Sequence, residues 1–188
     1  KQNFHSILML MQPCHQLNGV RKRYQQLRIL LCNLLDRFLQ KYLYLLVEGN
    51  DTIKSFFITK YEITQKDWLN VVPADPSIKS GDNLPVSNIS WFNAITYCNE
   101  RSKKEALPVA YDVKTGNLLD EKGVVTTDIS LVKGYRLPTS EEWEYAAKGG
   151  VNSFNFTFSG NNDYSKVAWN SINSSALIQE VGTKQANE

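Results

Sequence analysis

The stretch GYRLPTSEEWEYAAKGG, residues 134–150, limits what this chain can fold into more than any other part of its sequence. Pro138 cannot contribute to the hydrogen-bond ladder of a sheet, so we expect a strand to end just before it. Thr139 is a good helix N-cap, and Glu142, three residues later, completes a capping box. Gly149 can adopt the left-handed conformation that ends a helix. The stretch therefore predicts a strand, a turn and a short helix in immediate succession.

The side chains of this predicted helix have structural explanations. Trp143, Ala146 and Ala147 share one face, so we interpret the helix as part of the frame of the domain rather than as a chemical site. Arg136 places a fixed positive charge beside the three glutamates of the helix, and we expect a partly buried ion pair with one of them. A catalytic carboxylate is the alternative, but ion-pair networks commonly explain such clusters.

The composition of the chain changes near residue 50. Residues 1–50 hold seven Lys and Arg against two Asp and Glu, a net charge of +5, and lack Ala, Thr and Trp. Residues 51–188 hold 14 against 17, a net charge of −3. We therefore predict an N-terminal extension over residues 1–50 and a domain over residues 51–188. The overall net charge of +2 indicates no nucleic-acid partner, and the basic cluster at residues 21–23 is interpreted as a solvated helix end.

Residues 20–47 predict one amphipathic helix, in which polar side chains form a stripe on an otherwise apolar surface. A membrane span is disfavoured because four charged side chains would fall within it: Arg28, Asp36, Arg37 and Lys41. The apolar face could instead pack on the domain, on a partner helix or on a membrane surface. The chain has no signal-peptide pattern, and its localisation is left open.

Two further helices follow a predicted strand over residues 55–64. The first is predicted to be capped by Thr64, with Asp67 three residues later as the reciprocal partner of a capping box. Its apolar side consists of Trp68, Leu69 and Val72. The second begins at Ser90 and buries one stripe of side chains, namely Trp91, Ala94, Ile95 and Cys98. Burial would keep the Cys98 thiol inert. Residues 107–139 then predict short strands joined by turns.

Residues 151–175 mix aromatic side chains with Asn and Ser, a composition typical of adaptable recognition loops. The alternative is ordinary strand and loop. We favour it for the phenylalanines, which alternate with the period of a strand and are predicted to be core residues: Phe154, Phe156 and Phe158. The run from Asn161 to Asp163 predicts a turn. One Asp among amides would make a poor calcium site.

Five motifs, in order, resemble the family of formylglycine-generating enzymes, or sulfatase-modifying factors: FFITKYEIT, LPVSNISWFNAITYCN, GYRLPTSEEWEYAAKGG, VAWNSINSS and VGTKQANE. The third motif is specific, the ordered set is more so, and the resemblance covers about residues 55–188. It implies an α+β, C-type-lectin-like fold of short helices around small antiparallel sheets, with the amphipathic N-terminal helix added. In such a fold, the helix that follows Pro138 would be a structural support that packs beneath the functional loops.

The resemblance also implies an activity whose residues have no match in this chain. Formylglycine-generating enzymes oxidise a substrate cysteine with a copper-binding cysteine pair that follows the motifs quoted above; other relatives use iron, and some bind calcium. Residues 51–188 hold one cysteine and no histidine, and the spacing of His5 and His15 suggests no metal site. We therefore assign no catalytic, cofactor-binding or metal-binding residue, and we expect a C-terminally incomplete domain that is inactive alone.

Three functional hypotheses follow. The chain is an incomplete relative of the cysteine-oxidising enzymes, or a non-catalytic module that binds a ligand, protein or peptide through its loops. The third hypothesis gives residues 20–47 a role as a partner helix or a membrane-surface helix.

Overall fold

The computed structural model describes the backbone of residues 11–13 and the whole of residues 44–187. The basic cluster at residues 21–23 and most of the helix predicted over residues 20–47 lie outside the described residues. Both histidines, Cys14 and Cys32 lie outside them as well. Within the described ranges, no helix combines the length and the apolar character that a membrane span requires.

A small antiparallel sheet forms one side of the domain. Its strands are β1 (Met11–Pro13), β2 (Tyr44–Val47) and β3 (Phe56–Thr59), with β3 in the centre. The helix predicted over residues 20–47 is wrong at its C-terminal end, where residues 44–47 form the strand β2. Pairing of β2 with β3 outweighs the helical spacing of the leucines there. The connection from β2 to β3 crosses the boundary predicted at residue 50, and the division of the chain there stays a prediction.

The first helix, α1 (Gln65–Leu69), begins as the sequence predicts. The backbone N–H of Asp67 donates to the Thr64 hydroxyl at 3.1 Å, and that hydroxyl donates to the Asp67 carboxylate at 2.8 Å. Trp68 is buried, and its indole N–H donates to the carbonyl of Ala74 at 2.8 Å. Leu69, predicted to share the apolar side, is instead half exposed, because a helix of five residues can turn only part of its surface to the core.

The core is built on the longest helix, α2 (Trp91–Lys104), which is capped by Ser90 and Asn93 as a capping box. Ile95 and Cys98 are fully buried, as predicted. Trp91 is not part of the buried stripe, since 49% of its surface is exposed. It is the first residue of the helix, and helical side chains lean toward the N-terminus, so its ring extends past the end of the helix.

The segment between α2 and Pro138 is more irregular than predicted. In place of paired strands it has isolated bridges, Tyr111 to Leu118 and Leu119 to Val125, followed by a 3-10 helix, Ile129–Leu131. Three aspartate side chains accept backbone N–H groups two residues further along, and these short turns compete with strand pairing: Asp112, Asp120 and Asp128.

Side chains of α2 hold this irregular segment in place. The Asn99 amide oxygen accepts the backbone N–H groups of Ala110 and Tyr111, and its amide N–H donates to the carbonyl of Tyr111. The Ser102 hydroxyl accepts the backbone N–H of Tyr135 at 2.8 Å. Both anchors are buried, so they satisfy backbone groups that water cannot reach.

The helix α3 (Ser140–Ala147) confirms the local predictions made for it. Thr139 and Glu142 form the capping box, and Gly149 has the left-handed conformation, with φ of +79°. Tyr145 and Ala146 pack against the sheet residues Phe56 and Ile58. A 3-10 helix (Gly150–Asn152) and a last short helix, α4 (Tyr164–Val167), follow. The predicted α+β class, with short helices around a small antiparallel sheet, is confirmed.

Candidate functional site

An open groove of about 1070 Å³ lies on the side of α3 that faces away from the sheet. The start of α2, the irregular segment after it and the loop at residues 157–159 form its other walls. Its lining includes six large apolar or aromatic side chains: Trp91, Tyr111, Leu118, Leu137, Trp143 and Phe158. Its volume is at the upper end of the roughly 300–1,000 Å³ that small-molecule sites occupy.

Three large rings of this groove are about half exposed. The exposed fraction is 49% for Trp91, 44% for Trp143 and 42% for Phe158. These rings come from parts of the chain far apart in sequence, and only the tertiary fold brings them to one groove. Exposed aromatic side chains that line one groove together mark an interaction site more often than a scattered single side chain does. We call these three residues the aromatic triad.

The helix α3 presents two different faces. Trp143 and Ala147, one turn apart, line the groove, whereas Tyr145 and Ala146 pack toward the sheet. The Tyr145 hydroxyl also donates to the carbonyl of Glu48 at 3.0 Å. The prediction that Trp143, Ala146 and Ala147 form one packing face is therefore wrong. Because α3 lies between the sheet and the groove, it presents one apolar side to the sheet and another to the groove.

The charged side chains that line the groove have partners of opposite charge. Arg136 is 4% exposed and forms a bidentate ion pair with Glu142, with N–O distances of 2.7 and 2.8 Å. At the rim, the Lys148 ammonium lies 2.6 Å from the Glu144 carboxylate. The predicted Arg–Glu pair is confirmed, with Glu142 as the partner. The groove thus combines apolar walls with charges that compensate one another.

Tyr111 links the wall of the groove to its floor. Its hydroxyl accepts the backbone N–H of Leu137 at 3.0 Å, and its ring meets Trp91 edge to face, with 6.1 Å between ring centroids. Burial raises the pKa of Tyr111 above its ordinary value. The phenol therefore stays neutral at physiological pH and acts as a fixed structural group.

The sequence profile of the sulfatase-modifying factor enzyme 1-like domain matches residues 47–188. The chain belongs to this family. It is 44% identical over 129 residues to the chaperone protein LppX of Paenibacillus barcinonensis, an alignment that covers 65% of the chain and 46% of LppX. The chain thus spans about half the length of this relative.

Two solved structures are similar to this sulfatase-modifying factor enzyme 1-like domain. Variable protein 1 of Treponema denticola superposes with a TM-score of 0.53 at 26% identity, covering 77% of this chain and 63% of that one. The crystal structure of CarF superposes with a TM-score of 0.55 at 24% identity, covering 76% of this chain and 68% of that one. The likeness to CarF concerns the fold alone.

The copper chemistry implied by the family resemblance does not fit the described residues. Residues 44–187 hold one thiol, that of Cys98, and no imidazole. Cys98 is fully buried in the core, and burial raises the pKa of its thiol well above the ordinary range. Among the described residues, no three His, Cys, Asp or Glu side chains come together as a metal site. We therefore derive no chemical step through a metal.

The loop predicted as core or recognition surface, residues 151–175, is mostly exposed. Phe154 is 74% exposed and Phe158 is 42% exposed, so the core interpretation is wrong for these two phenylalanines. Phe156, between them, is partly buried. The chain turns at Ser159 and Gly160, between the bridged residues Phe158 and Asn161, just before the turn predicted over residues 161–163. In the predicted stretch the Asn161 amide oxygen accepts the backbone N–H of Asp163 at 2.9 Å, and Asp163 caps α4. Alternation predicts which side chains share a face, but it does not show whether another element covers that face.

The sequence analysis missed the aromatic triad as a site. It assigned Trp91 and Trp143 to the core because tryptophan at helical spacing is usually buried. One signal was available for α3, since the sequence EEWEYAA carries large rings at positions 143 and 145, which point to opposite sides of a helix. A short helix with rings on both sides contacts two different surroundings.

Proposed function

We propose that this member of the sulfatase-modifying factor enzyme 1-like family is a non-catalytic domain that binds an apolar segment of another polypeptide in its groove. The observation that carries the proposal is the aromatic triad, Trp91, Trp143 and Phe158, half exposed around one groove. Rings of this size offer large contact areas at a low cost in side-chain entropy, and they dominate the energetics of protein interfaces.

The balance of charge in the groove supports an uncharged, apolar ligand. Arg136 is paired with Glu142, and Lys148 is paired with Glu144. A charged ligand would have to compete with these ion pairs, whereas apolar side chains only displace water from the rings.

The name of the relative LppX favours the same kind of ligand. LppX is called a chaperone protein, and it is 44% identical to this chain over the aligned residues. Chaperones meet polypeptides whose apolar side chains are exposed before folding is complete. Because the chain spans less than half of LppX, the activity of the whole protein is part of the proposal.

The rival function, oxidation of a substrate cysteine, requires an accessible thiolate. Cys98 is buried and its thiol is held protonated by the apolar core. The rival has a direct test, in which the chain is incubated with copper, oxygen and a cysteine peptide. We expect the peptide mass to stay unchanged, and a mass loss that marks formylglycine would overturn the non-catalytic assignment.

The binding proposal is tested with a fluorescein-labelled eight-residue peptide that carries phenylalanine at alternate positions. We expect saturable binding by the wild-type chain, and a loss of affinity of about 30-fold, or about 2 kcal/mol, in Trp91→Ala and in Trp143→Ala. Trp169→Ala is the matched control, because Trp169 is 41% exposed and does not line the groove. Equal losses in all three variants, or no binding by the wild type, would contradict the proposal.

A second readout separates binding from misfolding. A far-ultraviolet circular dichroism spectrum like that of the wild type and a cooperative urea transition, even at a lower midpoint, show that each variant is folded. We also expect the wild-type chain to slow the aggregation of a reduced, unfolded test protein, and Trp143→Ala to slow it less. Protection that is the same in both would place the binding surface elsewhere.

A further inference from the structure

Gly116 stands directly against the ring of Trp91. A Cβ atom built on Gly116 would lie 2.5 Å from Cζ3 and 2.6 Å from Cη2 of that ring. These distances are far shorter than any contact between carbon atoms, which have their optimum at about 3.5–4.0 Å. Any other residue at position 116 would therefore displace the tryptophan or the loop. Gly116 also has a φ of +81°, a conformation that glycine adopts without strain.

Two other rings hold Trp91 from other directions. Tyr111 meets it at an interplanar angle of 81°, and Phe92 meets it at 83° with 5.3 Å between ring centroids. Tyr111 is itself buried and hydrogen-bonded to the backbone of Leu137. The Trp91 ring is thus confined, although it lines the groove and half of its surface is exposed.

The loop that carries Gly116 is fixed by a dense set of hydrogen bonds to Asp112. The Asp112 carboxylate accepts the backbone N–H of Lys114 at 2.9 Å and the hydroxyl of Thr115 at 2.7 Å. The backbone N–H of Gly116 donates to the carbonyl of Asp112 at 2.7 Å. These bonds fix the shape of the loop, and the bridge from Tyr111 to Leu118 joins its two ends, so a side chain at position 116 requires a shift of the whole turn or of the Trp91 ring.

We infer that Gly116 is the positioning and specificity-determining residue of the groove. Because Gly116 has no side chain, the Trp91 ring can lie directly against the loop and form a fixed wall of the groove. An aromatic side chain of the bound segment packs against this wall. The inference rests on the proposed function for the identity of the ligand. Aromatic pairs gain more than the burial of their area alone, so a fixed ring favours aromatic over aliphatic partners. A ring held before binding also loses less entropy on binding.

The structure offers a control for the effect of backbone strain. Gly123 has nearly the same conformation, with φ of +78°, but a Cβ atom there would meet nothing within 4 Å. Gly123→Ala therefore introduces the same strain as Gly116→Ala without touching Trp91. A difference between the two variants isolates the contact between residue 116 and the ring.

The test uses the full chain labelled with 5-fluorotryptophan, which gives one fluorine resonance for each of the four tryptophans. The resonance of Trp91 is identified by its disappearance in Trp91→Phe. We expect Gly116→Ala to shift or broaden that resonance, and Gly123→Ala to leave it in place. Affinity for the phenylalanine peptide should fall at least about tenfold in Gly116→Ala alone, while affinity for a matched leucine peptide falls less.

The outcomes separate this inference from the proposed function. An unmoved Trp91 resonance in Gly116→Ala overturns the positioning role, whatever the peptide does. A moved resonance with unchanged preference for phenylalanine over leucine overturns the specificity role. If the wild-type chain binds neither peptide, the proposed function is overturned. In that case the fluorine spectra still show whether Gly116 positions the Trp91 ring. A urea midpoint for Gly116→Ala far below that of Gly123→Ala would show that residue 116 supports folding rather than the ring alone, and this too would overturn the inference.

Discussion

Both terminal guanidinium nitrogens of Arg136 donate to Glu142, with Nη1 at 2.8 Å from Oε2 and Nη2 at 2.7 Å from Oε1. The Glu142 carboxylate also accepts the backbone N–H of Thr139, so one side chain joins the ion pair to the start of α3. The pair lies beneath the groove, where Arg136 is 4% exposed and the Glu142 side chain is 12% exposed. Removing either partner leaves a charge in a place that water hardly reaches.

Glu142→Gln should therefore destabilise the domain strongly. We expect a loss of about 3–5 kcal/mol in the free energy of unfolding, because the buried Arg136 charge loses its bidentate bonds to the Glu142 carboxylate. Glu144→Gln is the control, since its ion pair with Lys148 is mostly exposed and should contribute at most about 1 kcal/mol. Urea unfolding of both variants checks the prediction, and similar losses would show that the buried pair contributes little.

Two tryptophans should respond differently to truncation. Trp68 is 3% exposed and donates its indole N–H to a backbone carbonyl, so Trp68→Ala should cost about 3–5 kcal/mol of stability. Trp143 is 44% exposed, so Trp143→Ala should cost only about 1–2 kcal/mol of stability while it weakens peptide binding about 30-fold. Thermal and urea unfolding measure both. A Trp143 variant that unfolds as readily as the Trp68 variant would identify α3 as frame, as its sequence suggested.

The Cys98 thiol should be unreactive in the folded chain. The residue has no exposed surface, and burial raises the pKa of its thiol. In a Cys14→Ser, Cys32→Ser background, we expect Ellman's reagent to label nothing at pH 8 until urea unfolds the protein. Rapid labelling of the native protein would reveal an accessible thiolate and reopen the question of cysteine chemistry.

The loop of Asp112 should be sensitive to acid. The Thr115 hydroxyl and then the Lys114 backbone N–H hold the pKa of the Asp112 carboxyl below its ordinary value. A lowered folded-state pKa means that the stabilisation is complete above the unfolded pKa of about 4 and is lost as the pH falls through the folded-state value. We expect the Trp91 fluorine resonance to move only below about pH 4.

Two variants check that this movement comes from Asp112. In Asp112→Asn the acid-dependent step should disappear. In Asp163→Asn it should remain, although the pKa of Asp163 is also lowered, because that carboxylate caps α4 rather than the loop beside Trp91. An acid step that persists in Asp112→Asn would assign the titration to another carboxyl.

The sequence predicted best what residues a few positions apart decide. The cap of α3 needs only Thr139 and Glu142, and the turn after it needs only Gly149, so both follow from spacing. The ion pair of Arg136 was predictable for a similar reason, since its partner lies six residues away. In each case, short-range geometry limits the possible partners to a few.

The groove was not predictable in this way. Whether Trp91, Trp143 and Phe158 are covered depends on where three distant segments come to lie, and periodicity contains no information about that. The strands predicted over residues 107–139 failed for a different reason. Aspartate side chains there bond to the backbone locally, and these turns outweigh the strand preference of Val124 and Val125.

The Asn99 side chain forms three hydrogen bonds to the backbone of Ala110 and Tyr111, much as an adjacent strand would do. One buried side-chain amide thus makes the backbone hydrogen bonds that a neighbouring strand would usually make. The loops that extend beyond this anchor can exchange residues, or grow longer, without undoing the pairing that holds their bases. Such an arrangement tolerates exchange of the loop residues, and a library randomised at residues 113 and 114, whose side chains are exposed, should yield many folded variants, provided that Asn99 is kept.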